Sequence, residues 1–206
     1  MTSAGYDAIV LAGGRSRRMG DVAKLGLVVG GDSLLGHACA AVSDAARLVV
    51  VGPDDQDGVP ASAVVVREDP PFAGPAAAIG AGVAALEGST DATDLVVVLA
   101  ADVPRAREAV PVLLAAVADR PDHDGVVARS SDGHRQPLMA VYRKPALRAA
   151  LASHAPLAGG SVMRVIASLR LAEIDLPDDV LADVDTPADL HRLTEQTEQT
   201  EEPHDG

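Results

Sequence analysis

The sequence predicts a three-layer α/β/α fold: a mostly parallel, Rossmann-like sheet with an antiparallel hairpin addition. Three observations carry that expectation. Short Val-rich runs recur without polar alternation, as strands covered on both faces require. Ala- and Leu-rich helical patterns lie between them, which makes the strands parallel and the crossovers right-handed. Later, Ser131-Asp132-Gly133 forms a turn between two apolar runs and makes them a hairpin, so the sheet is mixed.

In chain order, the first strand is expected at Ala8 to Leu11. A helix follows over Leu34 to Ala46, with Asp32 and Ser33 as candidate N-caps, and then strands at Leu48 to Val51 and Ala63 to Val66. The next helix runs from Pro75 to Leu86: Pro75 takes the first helical position after Gly74, and Gly88 is the stop signal. Leu95 to Leu99 is a strongly apolar strand, Ala109 to Ala118 a helix, and Gly125 to Ala128 with Pro137 to Tyr142 the hairpin. Pro145 to Ser153 and Ser161 to Leu169 have helical patterns. Leu171 to Leu176 is expected as an edge strand, and Ala188 to Leu193 opens a last helix after Pro187. Residues 1–193 form one expected domain. Thr194 to Gly206 repeats Thr-Glu-Gln, carries five acidic and no basic residues, and is expected as a solvated, disordered tail.

Composition narrows the function classes. The 206 residues are 48% hydrophobic and 23% charged, the balance of a folded globular protein. Only Tyr6, Phe72 and Tyr142 are aromatic, which removes the stacking platforms that single-stranded nucleic acid needs. A formal charge of −13 argues against wrapping a polyanion, although small anions answer to local charge. Cys39 is the single cysteine, so neither an intrachain disulfide nor a Cys-based zinc site forms. There is no signal-peptide pattern at the N-terminus and no membrane-length apolar run, so a cytoplasmic location without membrane or nucleic-acid partners is expected.

The most informative stretch is Leu11-Ala12-Gly13-Gly14-Arg15-Ser16-Arg17-Arg18-Met19-Gly20-Asp21-Val22-Ala23-Lys24, directly after the first strand. Four of the 17 basic residues fall within it. Paired glycines at a strand's carboxyl end let backbone N–H groups face an anion, and Lys24 adds a compact positive charge for phosphate. The spacing is neither that of a Walker loop nor that of a dinucleotide fingerprint. A solvated basic turn is the competing reading. Gly80-Ala81-Gly82-Val83-Ala84-Ala85 does match a loose dinucleotide pattern, but it follows a helix start rather than a strand, so close helix packing through small residues is expected there.

Asp102 stands just past the Leu95 to Leu99 strand, where open α/β sheets collect ligands. It is the leading metal candidate, with helix capping as the alternative. Magnesium beside a polyphosphate needs only one or two protein carboxylates. Asp183 and Asp185 pair at strand spacing and either can add to that site, or Asp185 or Thr186 can cap the last helix. Asp69, in the rigid loop Arg67 to Pro75, can accept hydrogen bonds from a base edge. Arg135 and Gln136 offer guanidinium and amide donors at the hairpin to a polar heterocycle or phosphate. The six histidines are scattered, which disfavours a histidine metal cluster.

In this order the blocks resemble the molybdenum cofactor guanylyltransferase family of nucleotidyltransferases: Leu-Ala-Gly-Gly with Arg18-Met19-Gly20 and Lys24, Glu68-Asp69 before Gly74-Pro75, Asp102-x-Pro104, Gln136-Pro137-Leu138, and Asp-Thr-Pro-x-Asp-Leu at 185–190. The resemblance implies a nucleotide-diphospho-sugar transferase-like fold and transfer of GMP from GTP to molybdopterin, with Mg2+ as cofactor. It implies that Leu11, Ala12, Gly13 and Gly14 meet the nucleotide through backbone, Lys24 its phosphates, Asp69 the nucleotide, and Asp102 both nucleotide and metal, with Asp185 as a further ligand. Lys24 and Asp102 would carry catalysis with Arg18 as helper, Gln136 and Arg135 would face the pterin, and transient contact with molybdoenzymes or cofactor-insertion proteins is expected. Cytidylyl transfer to the same pterin, sugar-phosphate nucleotidyl transfer and a nucleotide-binding module without chemistry are the alternatives. Three departures stand out: Asp183 and Asp185 replace an Asn-x-Asn pattern, Gly52 stands where an Asn can reach the nucleotide, and Arg105 follows the Asp-x-Pro block in place of an apolar residue.

Overall fold

The computed structural model describes residues 5–13, 26–29, 31–87, 93–184 and 189. The elements are β1 (Tyr6–Leu11), β2 (Val28–Val29), β3 (Asp32–Ser33), α1 (Leu34–Ala41), β4 (Arg47–Val51), β5 (Val64–Val66) and α2 (Pro75–Ala85). They continue with β6 (Leu95–Ala100), α3 (Ala106–Ala118), β7 (Gly125–Arg129), β8 (Arg135–Arg143), α4 (Lys144–Ser153), α5 (Val162–Ile166), β9 (Leu171–Asp175) and α6 (Asp178–Leu181). Seven strands share one sheet in the order β5-β4-β1-β6-β8-β7-β9, and β2 pairs with β3 in a separate two-stranded ribbon.

Strand periodicity divides the core. Ala8 and Val10 of β1 join Val97 and Leu99 of β6 on the face covered by α1, α3 and α6, while Ile9, Leu11, Val96 and Val98 face α2, α4 and α5. Both faces are therefore dry, as the unalternated Val runs require. In the large sheet only β8 runs against the rest: it is antiparallel to β6 on one side and β7 on the other, and β9 is parallel to β7. The hairpin is thus built into the sheet interior, and β9 takes the expected edge.

Gly80 and Gly82 lie inside α2, where their lack of a side chain is a packing device. A Cβ on Gly82 would stand 2.7 Å from Cγ2 of Ile9, and one on Gly80 would stand 2.6 Å from Cδ1 of Leu157. The dinucleotide-like pattern is close packing of a helix, on the sheet through Gly82 and on the loop after α4 through Gly80. Gly74 precedes α2 at φ 97°, a left-handed conformation open to glycine, and Pro75 follows at the first turn as expected.

Several boundaries differ from the sequence expectation, each for a local reason. Helix α1 stops at Ala41 rather than Ala46, because the Ala46 amide is taken by the Tyr6 carbonyl at 2.8 Å as the chain turns into β4. Ser33 caps α1, its Oγ accepting from the Gly36 amide at 3.0 Å, whereas Asp32 lies in β3. Helix α5 covers only Val162–Ile166, and the short α6 lies beyond β9, where no helix is expected. Gly88, the last helix at 188–193 and the tail at 194–206 lie outside the described residues, Asp189 apart.

At the amino edge of the sheet Asp7 is fully buried and anchors an internal ion cluster. Arg47 donates through Nε at 3.1 Å and Nη2 at 2.7 Å, and Lys144 through Nζ at 2.6 Å. Burial alone pushes the Asp7 carboxyl up, but the hydrogen bonds and charges of Arg47 and Lys144 outweigh it and hold the pKa below its ordinary value. A depressed carboxyl contributes stability above its unfolded pKa of about 3.9 and loses it as pH falls toward the folded value. Asp7→Asn is expected to cost about 3 kcal/mol at pH 7, because two partly buried cations lose their counter-charge. Urea unfolding at pH 7 and between pH 5 and 3 checks both points: the variant should be weaker at pH 7 and lack part of the acid decline.

Candidate active site

The strand order reverses between β1 and β6. From β1 the chain steps outward to β4 and β5, then returns to the other side of β1 with β6. Such a switch point splays the two following loops apart and opens a crevice at the carboxyl ends. The ends are held in register. Leu11 pairs with Val51 and Ala100, the Ala12 amide donates to the Val51 carbonyl at 2.8 Å, and the Ala101 amide donates to the Leu11 carbonyl at 3.1 Å. Gly13 and half-buried Asp102 therefore leave adjacent strands just beyond that shared row.

On the β4 side the site wall is built from close backbone contacts. A Cβ on Gly13 would lie 3.8 Å from both the Val51 carbonyl and Oε1 of Glu68. Glu68 is buried, and the same Oε1 accepts from the Phe72 amide at 3.0 Å, so one carboxylate packs beside the glycine strand end and fastens the loop entering α2. Phe72 stands at φ 64°, a left-handed conformation that costs a bulky residue about 1 kcal/mol or more. The Arg67 guanidinium sits 5.1 Å from its ring centroid. Asp69, between them in the chain, is exposed at the same edge.

On the β6 side, the Val184 amide donates to the Asp102 carbonyl at 3.0 Å. That bond brings the C-terminal acidic segment alongside Asp102, with Val184 buried and Asp183 exposed. Residues 182–184 are not part of a strand, and Asp185 lies outside the described residues. Asp102 does not cap a helix: Arg105 is the N-cap of α3. Arg105 donates to both Glu108 oxygens, at 2.7 and 2.9 Å, and also bonds Asp179 of α6. The charge that departs from the family pattern thus pins α3 to α6 behind Asp102.

Residues 8–174 match the MobA-like NTP transferase domain. The chain belongs to this family. It is 32% identical over 207 aligned residues to a relative from Natronomonas pharaonis named "Probable molybdenum cofactor guanylyltransferase", covering 91% of this chain and 96% of that one. A relative of the same name from Chloroflexus aggregans is 35% identical over 145 residues, covering 68% of this chain and 66% of that one. The crystal structure of molybdopterin-guanine dinucleotide biosynthesis protein A from Archaeoglobus fulgidus superposes with a TM-score of 0.67 at 19% identity, covering 94% and 99% of the two chains.

In this MobA-like transferase, the described residues that the sequence nominates for the site, Leu11, Ala12, Gly13, Asp69, Asp102, Arg135 and Gln136, all lie at the carboxyl edge of the sheet. Gly14, Arg18, Lys24 and Asp185 lie outside the described residues. Arg135 has a partner of its own: its Nε and Nη2 reach Oε1 of Glu173 at 2.7 and 2.6 Å. Arg129 bridges the other Glu173 oxygen at 2.8 Å and Asp175 at 2.6 Å, forming a network across β8, β7 and β9. Glu173 is not legible in the sequence as a residue that supports the site: it meets Arg129 and Arg135 through tertiary contacts, and no spacing rule marks it. Glu68 belongs to a block that carries the family resemblance, but its bond to the Phe72 amide is not legible there.

Gly52 illustrates how tight this edge is. A Cβ there would stand 2.9 Å from the Ala12 carbonyl oxygen and 2.6 Å from Nε2 of Gln56. Gln56 can swing away, but the backbone of Ala12 cannot without moving the strand end. Gly52→Asn, which supplies the side chain other family members can offer, is therefore expected to cost about 1–3 kcal/mol of stability and to weaken nucleotide binding. Urea unfolding and calorimetric titration with GTP check this, and tighter binding would contradict it.

Proposed function

We propose that the chain transfers GMP from GTP to the terminal phosphate of molybdopterin and releases pyrophosphate. The observation that carries the reading is the convergence of Gly13 and Asp102 at the strand-order reversal, in a chain of the MobA-like family. The names of the two curated relatives supply the substrate pair.

In this reading the acceptor phosphate needs no general base. Its second pKa of about 6 leaves it largely ionised at neutral pH, so an oxygen attacks the α-phosphorus of GTP directly. The bond from that phosphorus to the β,γ-pyrophosphate breaks, and the electron pair leaves with pyrophosphate. The protein's task is alignment and charge neutralisation. Leu11, Ala12, Gly13 and Gly14 present backbone to the nucleotide, Asp69 reads it, Lys24 meets the phosphates, and Arg18 assists. Gln136 faces the pterin, one strand beyond Asp102, and Arg135 holds that segment.

Magnesium suits the donor set. A hard carboxylate beside a polyphosphate is the usual hold on this ion, which takes one or two protein carboxylates and keeps several waters. Asp102 would hold it, and in this reading Asp185, which follows Val184 in the chain, would be a second ligand. When bound, the ion offsets negative charge on the triphosphate. Residues 1–193 form the catalytic unit in this reading, the tail at 194–206 is dispensable for turnover, and the cytoplasm is where the reaction occurs.

Acidic residues at 183 and 185, in place of Asn, favour one second reading, cytidylyl transfer to the same pterin. Pyrophosphate release measured with GTP or CTP, with and without molybdopterin, separates them: the proposal expects release with GTP and molybdopterin together. Lys24→Ala and Asp102→Ala are each expected to lower turnover by at least about 10²-fold with the thermal midpoint retained. Near-normal turnover in either variant would count against the assignment.

A further inference from the structure

Tyr142 is fully buried, yet its polar end is put to use inside the sheet. Its hydroxyl donates to the Pro137 carbonyl at 2.8 Å, five residues back along the same strand. Burial pushes its pKa well above the ordinary tyrosine value, so it stays a donor at any working pH.

The bond spans an irregularity in β8. Between Val127 and Ala128 strand β7 advances by one residue, while the partners on β8 go from Ala140 to Gln136. Strand β6 pairs with β8 only as far as Met139, so Pro137 and Leu138 have no ladder partner on either side. Such bulges re-aim the residues they carry, and an unsupported one would fray. Pro137 contributes no amide donor, and Tyr142 satisfies its carbonyl. Just beyond, Arg135 is fixed by Glu173. The bulge is thus fastened at both ends, and Gln136 lies between the fastenings.

We infer that Tyr142 is a positioning residue for acceptor recognition: its hydroxyl sets the bulge of β8 so that Gln136 faces the pterin substrate. This rests on the proposed function, which assigns Gln136 to the pterin side. Arg135 and Glu173 fix the opposite end, while the nucleotide half of the site, on β1 and β6, is untouched.

Tyr142→Phe removes one oxygen and keeps the ring. The expected result is a rise of about five- to tenfold in KM for molybdopterin, with KM for GTP and kcat within about twofold. Because Tyr142 acts through Gln136, the double variant Gln136→Ala/Tyr142→Phe should be no worse toward molybdopterin than Gln136→Ala alone. Independent, additive losses, an unchanged molybdopterin KM, or equal rises in both KM values would overturn the inference. Hydrogen exchange gives a readout that needs no turnover: Tyr142→Phe should speed exchange of the Met139 and Ala140 amides, where the ladder borders the bulge, at least about tenfold while β1 amides keep their protection. Unchanged exchange at Met139 and Ala140 would overturn the positioning role. A wild-type chain that releases no pyrophosphate with molybdopterin would instead remove the proposed function, leaving the exchange result to stand by itself.

Discussion

The amide of Ala101 donating to the carbonyl of Leu11 is the contact on which the site geometry depends. It is the last rung between β1 and β6, and the strand order reverses across it. Below it both strands are locked by ladder bonds and buried side chains. Above it the chain is released in opposite directions, toward Gly13 on one side and Asp102 on the other. A crevice at this place follows from topology, because the connection from β1 leads sideways toward β4 while that from β6 leads toward β7 on the opposite side. Proximity of a glycine-lined backbone to an acidic side chain is then a matter of register alone.

The two ends of the sheet solve opposite electrostatic problems. At the amino edge Asp7 is buried with two cations, and its partners keep it charged despite desolvation. At the carboxyl edge the ion network of Arg129, Arg135, Glu173 and Asp175 is largely solvated, so it contributes geometry more than stability. The buried ion cluster thus lies at the end of the sheet away from the crevice, and the solvated network lies at the same end as the crevice.

The sheet is legible in the sequence because buried parallel strands leave a mark that depends on composition alone. A run such as Leu95–Ala100 is apolar at every position and too short for a typical helix, so its reading as a strand is secure. The position of Asp102 follows from the end of that run, and that of Gly13 from the end of Ala8 to Leu11. Boundaries set by tertiary bonds are not legible: nothing in Leu34 to Ala46 signals that Tyr6 claims the Ala46 amide. Nor does any local pattern reveal that β8 is inserted between β6 and β7, since hairpin chemistry fixes pairing with one neighbour only. The roles of Glu68 and Tyr142 are not legible for the same reason. Each acts through a hydrogen bond to backbone whose geometry is set only after folding.

Departures from a family pattern are therefore best judged by what surrounds them. Gly52 reads in sequence as a lost contact, yet the Ala12 carbonyl occupies the space a side chain would need, so the glycine accompanies a closer approach of β4's end to β1. Arg105 reads as a misplaced charge, yet Glu108 and Asp179 receive it and fasten α3 to α6 behind Asp102. In both cases a substitution is matched by its neighbours, and the strand ends that define the crevice keep their register. Moving either strand end would break the shared row of pairings at Val51, Leu11 and Ala100.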